Sequence, residues 1–175
     1  MDQPAADLRT RRLEPSDHDE VRALAPELLA GMPTWRPQKG QRTAVAGWVE
    51  DAIAESDVDG HAVFVAVDTV ASSDSQDRVL GFVGVGQRQH FTGEREAYVG
   101  ELAVRPDRRR QRVARTLMDA AESWAQINDL PIISLETGSD NDGARAFYAQ
   151  LGYIDEQVTL TKCLDQRSIP QGPAS

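Results

Sequence analysis

Apolar residues recur along this chain with two periods, and the switches between them mark the elements. Residues 8–13, with Leu8 and Leu13 enclosing charged residues, read as a half-buried strand. Glu14-Pro15-Ser16-Asp17 breaks the run. Ser16 or Asp17 supplies a cap for a helix carrying Val21, Leu24, Leu28 and Leu29. Pro26 lies inside that helix and predicts a kink or an early end. Residues 31–40 hold two prolines and form a loop, whose Met32, Trp35 and Arg36 either wall a pocket or tuck Trp35 into the core edge. Residues 41–55 return to helical period through Val45, Trp48, Val49 and Ile53.

After a turn at 57–60, residues 61–67 (HAVFVAV) read as a strand buried on both faces. Residues 79–85 form the next strand, and the polar stretch 70–77 joins the two as an antiparallel hairpin. Residues 87–93 read as a polar loop before a strand at 97–104. A helix follows over 113–128, with Val113, Leu117, Ala121 and Trp124 on one face. Leu130-Pro131 ends it, and 132–135 is a short buried strand. The next helix carries Ala144, Phe147, Tyr148 and Leu151 and stops at Gly152. A strand-like run over 153–163 passes through Val158, Leu160 and Cys163.

The order β-α-α-β-β-β-α-β-α-β predicts an α/β (α+β) fold, a mixed and mostly antiparallel central sheet flanked by helices. One domain spans residues 8–164. Residues 1–7 read as a loose leader and 165–175 as a disordered tail. Gly81, Gly84 and Gly86 superficially suggest a dinucleotide fingerprint, but no helical pattern follows them. Gly84 and Gly86 instead mark a bulge or a close approach within the sheet.

Composition narrows the function classes. The 175 residues carry a net charge of −9, which argues against nucleic acid as the main partner and is compatible with a cationic one. No apolar run approaches a membrane span, and the N-terminus lacks an apolar signal core. The single cysteine, Cys163, fits a reducing cytoplasm, and the scattered histidines (His18, His61, His90) offer no metal site.

Against this acidic background, six of the seventeen arginines fall between Arg105 and Arg115. Arginine runs are commonly solvated faces. This one sits between a strand and a helix start, where first-turn N–H groups lack intrahelical partners and the helix dipole favours an anion. A phosphate or pyrophosphate is the expected ligand.

The stretch LAVRPDRRRQRVARTL resembles the acyl-CoA-binding segment of the GNAT superfamily of N-acyltransferases, whose pattern is L-x-V-x-P followed by [RQ]-x-x-G-x-[GA]. Downstream, NDGARAFYAQLGY resembles that superfamily's N-x-x-A-x-x-F-Y-x-x-x-G-[FY]. The resemblance implies acetyl-CoA as co-substrate. Arg109 takes the first loop position, and the backbone of Arg110, Gln111, Arg112, Val113, Ala114 and Arg115 cradles the pyrophosphate. The edge of Leu102, Ala103 and Val104, beside a bulge, pairs with the pantetheine arm. Asn141 bonds the pantetheine or orders the loop, and Tyr148 protonates the leaving thiolate. Two departures stand out. Arg112 replaces the loop glycine, and little chain follows Cys163 where the family often ends in two strands, so the acceptor wall is either open or completed by a second copy in a homodimer.

Elementary chemistry agrees with those roles. An attacking amine must lose a proton, the thiolate needs a donor, and the oxyanion needs an N–H such as a bulged strand offers. Glu101 is the first candidate for the base and Glu136 the second. Three readings compete: an N-acetyltransferase acting on a primary amine of a small, cationic molecule, one acting on a protein or peptide amine, and a non-catalytic acyl-CoA-binding module.

Overall fold

The computed structural model describes residues 8–68, 78–162 and 164. The polar stretch 70–77, the leader, the tail and Cys163 therefore lie outside the described residues. Nine principal elements follow in order: β1 (Leu8–Arg12), α1 (His18–Ala23), α2 (Gln38–Glu55), β2 (His61–Asp68), β3 (Arg78–Gln89), β4 (Arg95–Val104), α3 (Val113–Ile127), β5 (Ile133–Leu135) and α4 (Asp142–Gln150). The strands form one sheet in the order β1-β2-β3-β4-β5. The first four pair antiparallel, and β4 pairs parallel with β5. The mixed, mostly antiparallel sheet is the one expected from the pattern. Among the described residues no helix is long and apolar enough to cross a membrane, and no cluster of side chains could hold a metal ion.

Helices cover both faces. On one, Val45, Val49 and Ile53 of α2 and Val21 of α1 pack on Val63, Val65, Val67 and Phe82. On the other, Val113, Leu117, Met118, Ala121 and Ala125 of α3 pack on Ala66, Leu80, Val83, Val85 and Val99. Spacings of three to four residues place each helical set on one stripe. Pro26 ends α1 early, and Ala25–Leu29 tightens into a 3-10 turn.

Three expectations change. The stretch expected as loop from residue 87 is paired strand through Gln89, because cross-strand polar contacts hold it. Arg95 donates to Gln87 at 2.6 Å and Arg88 to Glu96 at 2.6 Å. Trp48 shares the helical period of Val45 and Val49 but turns away from the core and is 44% exposed. The run from Tyr153 onward makes no strand among residues 153–162. Its alternation suits a strand, yet a strand needs an edge, and β5 offers three residues. Val158 and Leu160 stay 79% and 90% exposed.

A buried ion pair pins the first turn to β1. Arg11 donates to both oxygens of Asp17 at 2.6 and 2.9 Å, and the Glu14 N–H donates at 2.9 Å to a carboxylate that is 2% exposed. Burial works to raise the Asp17 pKa, but the Arg11 hydrogen bond, the Glu14 N–H and the Arg11 charge hold it below 3.8. A depressed folded-state pKa stabilises above the unfolded value, and that stability is lost as pH falls through the folded one. Asp17→Asn is expected to cost about 3 kcal/mol at neutral pH in urea denaturation. It should also flatten the loss of stability seen below about pH 4 in the parent.

Candidate active site

The site begins at an irregularity in β4. Its register with β3 runs Gly84↔Glu101 and then Val85↔Val99, so Gly100 is an extra residue. Such a bulge bends the strand and shifts its alternation by one. Without it, Tyr98 and Glu101 would face opposite sides of the sheet. With it, both line one cavity of about 290 Å³ on the α2 face. The other walls include Trp48, Asp51 and Glu55 of α2, His61 of β2 and Arg88 of β3.

Two glycines of β3 make room there. A Cβ on Gly84 would collide with the Glu101 carboxylate, and one on Gly86 would lie 2.8 Å from His61 Nδ1. The close approach expected of these glycines is present. At the closed end, Glu96 is 3% exposed and accepts from Arg88 Nε at 2.6 Å and from Ser134 Oγ at 2.9 Å. This cluster ties β3, β4 and β5 together, and the Arg88 guanidinium stacks 4.0 Å from the Tyr98 ring centre.

Beyond that tie the strands part. The pairing of β4 with β5 ends at Val99↔Leu135, so the edge of Gly100, Glu101, Leu102, Ala103 and Val104 towards β5 has no strand beside it. Unpaired strand edges accept an added extended segment. Ala103 is buried, while Leu102 and Val104 are partly buried against the α3 face.

Among the described residues Glu101 makes no side-chain ion pair or hydrogen bond, and its environment disfavours charge. Burial first, then the charges of Glu55 and Asp51, push its pKa up to about 7. Tyr148 of α4 packs in the opposite cluster, with Tyr153 at 5.7 Å between ring centres, and burial pushes its pKa up to about 12. Glu101 and Tyr148 thus sit on opposite faces of the sheet, either side of the parted strands. Glu136 lies just past β5, exposed and 3.8 Å from Arg88, and does not line the cavity.

The arginine loop is largely neutralised from within. Arg109 pairs with Glu27 at 2.6 Å and Arg115 with Asp119 at 3.0 Å. Arg105 lies within 4 Å of Asp107 and Glu20, and Arg108 within 4 Å of Asp68 and Asp107. Arg110 and Arg112 have no carboxylate partner among the described residues. Both adopt left-handed backbone, with φ 60° and 67°, and Arg112 directly precedes α3. The glycine of the family pattern would sit there without strain. First-turn N–H groups at a helix start lack intrahelical partners, which favours an anion there.

Asn141 is committed to the fold at both ends of its amide. Its oxygen accepts from the Ala144 N–H at 3.2 Å, capping α4, and its nitrogen donates to the Ala30 carbonyl at 3.2 Å. A Cβ on Gly31 would strike Asn141, so this cap holds the loop after residue 30 against the start of α4. Met32 packs on the α2 core, and Trp35 is stacked by Arg36 at 4.4 Å, away from the Glu101 cavity.

Sequence reasoning missed Trp48, Asp51, Glu55, His61, Arg88 and Tyr98. One signal was available: Trp48, Asp51 and Glu55 recur at i, i+3 and i+7, on the flank of the stripe of Val45, Val49 and Ile53. The side of the sheet that stripe meets is set by tertiary packing.

The family model described as acetyltransferase (GNAT) family matches residues 26–153. Among solved structures, the aminoglycoside N-acetyltransferase AAC(6')-Iy in complex with CoA is 17% identical, covering 94% of this chain and 100% of its own, with a TM-score of 0.67. An acetyltransferase from Trypanosoma brucei is 18% identical over 90% of this chain and 100% of its own, with a TM-score of 0.59. Glucosamine-6-phosphate N-acetyltransferase from Arabidopsis thaliana is 14% identical over 90% of this chain and 99% of its own, with a TM-score of 0.61. No curated protein sequence matches the chain. At these identities the structural likeness concerns the fold.

The left-handed turn generates a stability prediction. A side chain in that conformation costs about 1 kcal/mol relative to glycine. Arg112→Gly is therefore expected to raise unfolding stability by about 1 kcal/mol in urea denaturation. A loss of stability would show that the Arg112 side chain holds the loop.

Proposed function

Because the chain belongs to the acetyltransferase (GNAT) family and is an acetyl-CoA-dependent N-acetyltransferase, we propose that it acetylates a primary amine of a small molecule by direct attack in a ternary complex. The observation that carries this reading is Glu101. It is a carboxylate held beside a small cavity, at the point where β4 leaves β5.

The residues present fit acetyl-CoA. The open edge of Leu102, Ala103 and Val104 suits the amide-bearing pantetheine arm as an added strand. The N–H groups from Arg110 to Ala114 suit the pyrophosphate, and the unpaired guanidinium groups of Arg110 and Arg112 add charge to it. Arg109 has its own carboxylate, Glu27, and contributes less unless that pair opens. Asn141 orders the loop and the start of α4 around the arm. Acetyl-CoA supplies an activated acyl group.

The chain supplies the proton movements. Glu101 takes the proton from the attacking amine, directly or through water, and its pKa near 7 suits that role at neutral pH. The amine nitrogen bonds to the carbonyl carbon and the carbon–sulfur bond breaks. The bulge N–H groups stabilise the oxyanion. Tyr148, raised to about 12, keeps its proton throughout the working range. Alkyl thiols titrate near about 8.5, so full transfer from this phenol is uphill, and a hydrogen bond to the departing sulfur carries most of its effect. A cavity of this size accommodates a small acceptor. The single cysteine remains in keeping with a reducing compartment such as the cytoplasm.

Steady-state kinetics test these roles. The kcat/KM for an amine acceptor should rise through an enzyme pKa near 7, because Glu101 acts only after losing its proton. Glu101→Gln should remove that limb and lower kcat about 10²-fold. Tyr148→Phe should lower kcat at least about tenfold with acetyl-CoA affinity unchanged by calorimetry. A Tyr148→Phe enzyme of parental kcat would exclude the donor role.

A further inference from the structure

Resting on that transfer reading, we infer that the acceptor carries a second cationic group, which Asp51 and Glu55 of α2 hold while its primary amine lies at Glu101. The cavity has three carboxylates on its walls, Asp51, Glu55 and Glu101, and two potential cations, Arg88 and His61. Arg88 is already engaged by Glu96, Ser134 and the Tyr98 ring. His61 Nδ1 lies 3.3 Å from Glu55 and can offset one charge at most. Asp51 has no ion pair or hydrogen bond among the described residues. The cavity is therefore short of positive charge, and a cationic guest relieves that.

Placement separates binding from chemistry. Asp51 and Glu55 stand one helical turn apart, on the same stripe as Trp48 and away from the Val45–Val49–Ile53 core stripe. Further charged carboxylates set beside the reacting nitrogen, in addition to its base Glu101, would hold it as an unreactive ammonium. Carried instead by α2, they suit a group that stays charged throughout. Trp48 and Tyr98 add aromatic faces, which attract alkylammonium groups. The same arrangement repels acceptors that carry a carboxylate or phosphate. The class is thus an amine with at least one further ammonium, such as a diamine, a polyamine or a multiply aminated sugar.

The electrostatics of Glu101 are consistent with this geometry. After burial, the charges of Glu55 and Asp51 are what raise its pKa. The titratable and charged groups around it are those two on α2, His61 on β2, Arg88 on β3 and Tyr98 on β4. A dication bound at Asp51 and Glu55 screens Glu101 and lowers its pKa, so the bound acceptor readies its own base.

The test compares 1,4-diaminobutane with n-butylamine in the parent and in Asp51→Asn/Glu55→Gln, at low ionic strength. The parent should favour the diamine by about tenfold or more in kcat/KM, as two partly exposed ion pairs provide. The double variant should bring that ratio to within about twofold of unity, acting through KM. It should also shift the Glu101 limb to lower pH, because two like charges have been removed. Equal use of both amines by the parent would overturn the inference, as would a double variant that lowers both alike. Calorimetry with 1,4-diaminobutane separates the two readings. Turnover of n-butylamine without diamine binding rejects the second-cation site alone. Diamine binding lost in the double variant, with neither amine acetylated, rejects the transfer reading and retains the site.

Discussion

The single extra residue at Gly100 is the constraint on which the site depends. A strand's side chains alternate with period two, so one insertion reverses every face after it. In β4 that reversal brings Glu101 to the face of Tyr98 and leaves Leu102 and Val104 facing α3. The same bend lets β4 part from β5 after three residue pairs, which exposes a strand edge within an otherwise paired sheet. The Glu96–Arg88–Ser134 cluster holds the closed end shut, so the opening has a defined apex. The placement of Glu101 and the open edge of β4 are consequences of one backbone irregularity.

Electrostatics divides the molecule along the same line. The cavity under α2 collects carboxylates, and the loop before α3 collects arginines. The arginine loop is less cationic than its sequence suggests, because Glu27, Asp107 and Asp119 meet most of its charges. Among the described residues Arg110 and Arg112 have no carboxylate partner, and both backbones are strained into left-handed conformation. Strain and unpaired charge therefore coincide at the helix start, where first-turn N–H groups favour an anion. An arginine in place of glycine sacrifices conformational ease and adds a cation beside the start of α3.

Much of this was legible along the chain because the signals are local. Apolar runs bounded by turn residues located the strands, and runs at helical period located α2, α3 and α4. Gly84 and Gly86 announced close approach by lacking a Cβ, and the structure shows Glu101 and His61 in the space. The strand expected after residue 152 failed for a non-local reason. Its alternation was adequate, but β5 is too short to receive it. Trp48 was misplaced for a related reason. Helical period groups it with the core stripe, and only the position of the sheet assigns it to the cavity.

The sequence by itself determined the element order, the arginine-rich turn before α3 and the two segments that resemble the GNAT superfamily, since each rests on neighbours within a few residues. It also identified Glu101 and Tyr148 as candidates, as they follow from motif and chemistry. Tertiary structure decided which groups share a cavity. Asp51 and Glu55 come from a helix more than forty residues before Glu101, and their charges reach it only because α2 packs across the bulged strand. Proton affinity depends on burial and on charges nearby in space. The chain order contains neither, so the raised pKa of Glu101 had to await the fold.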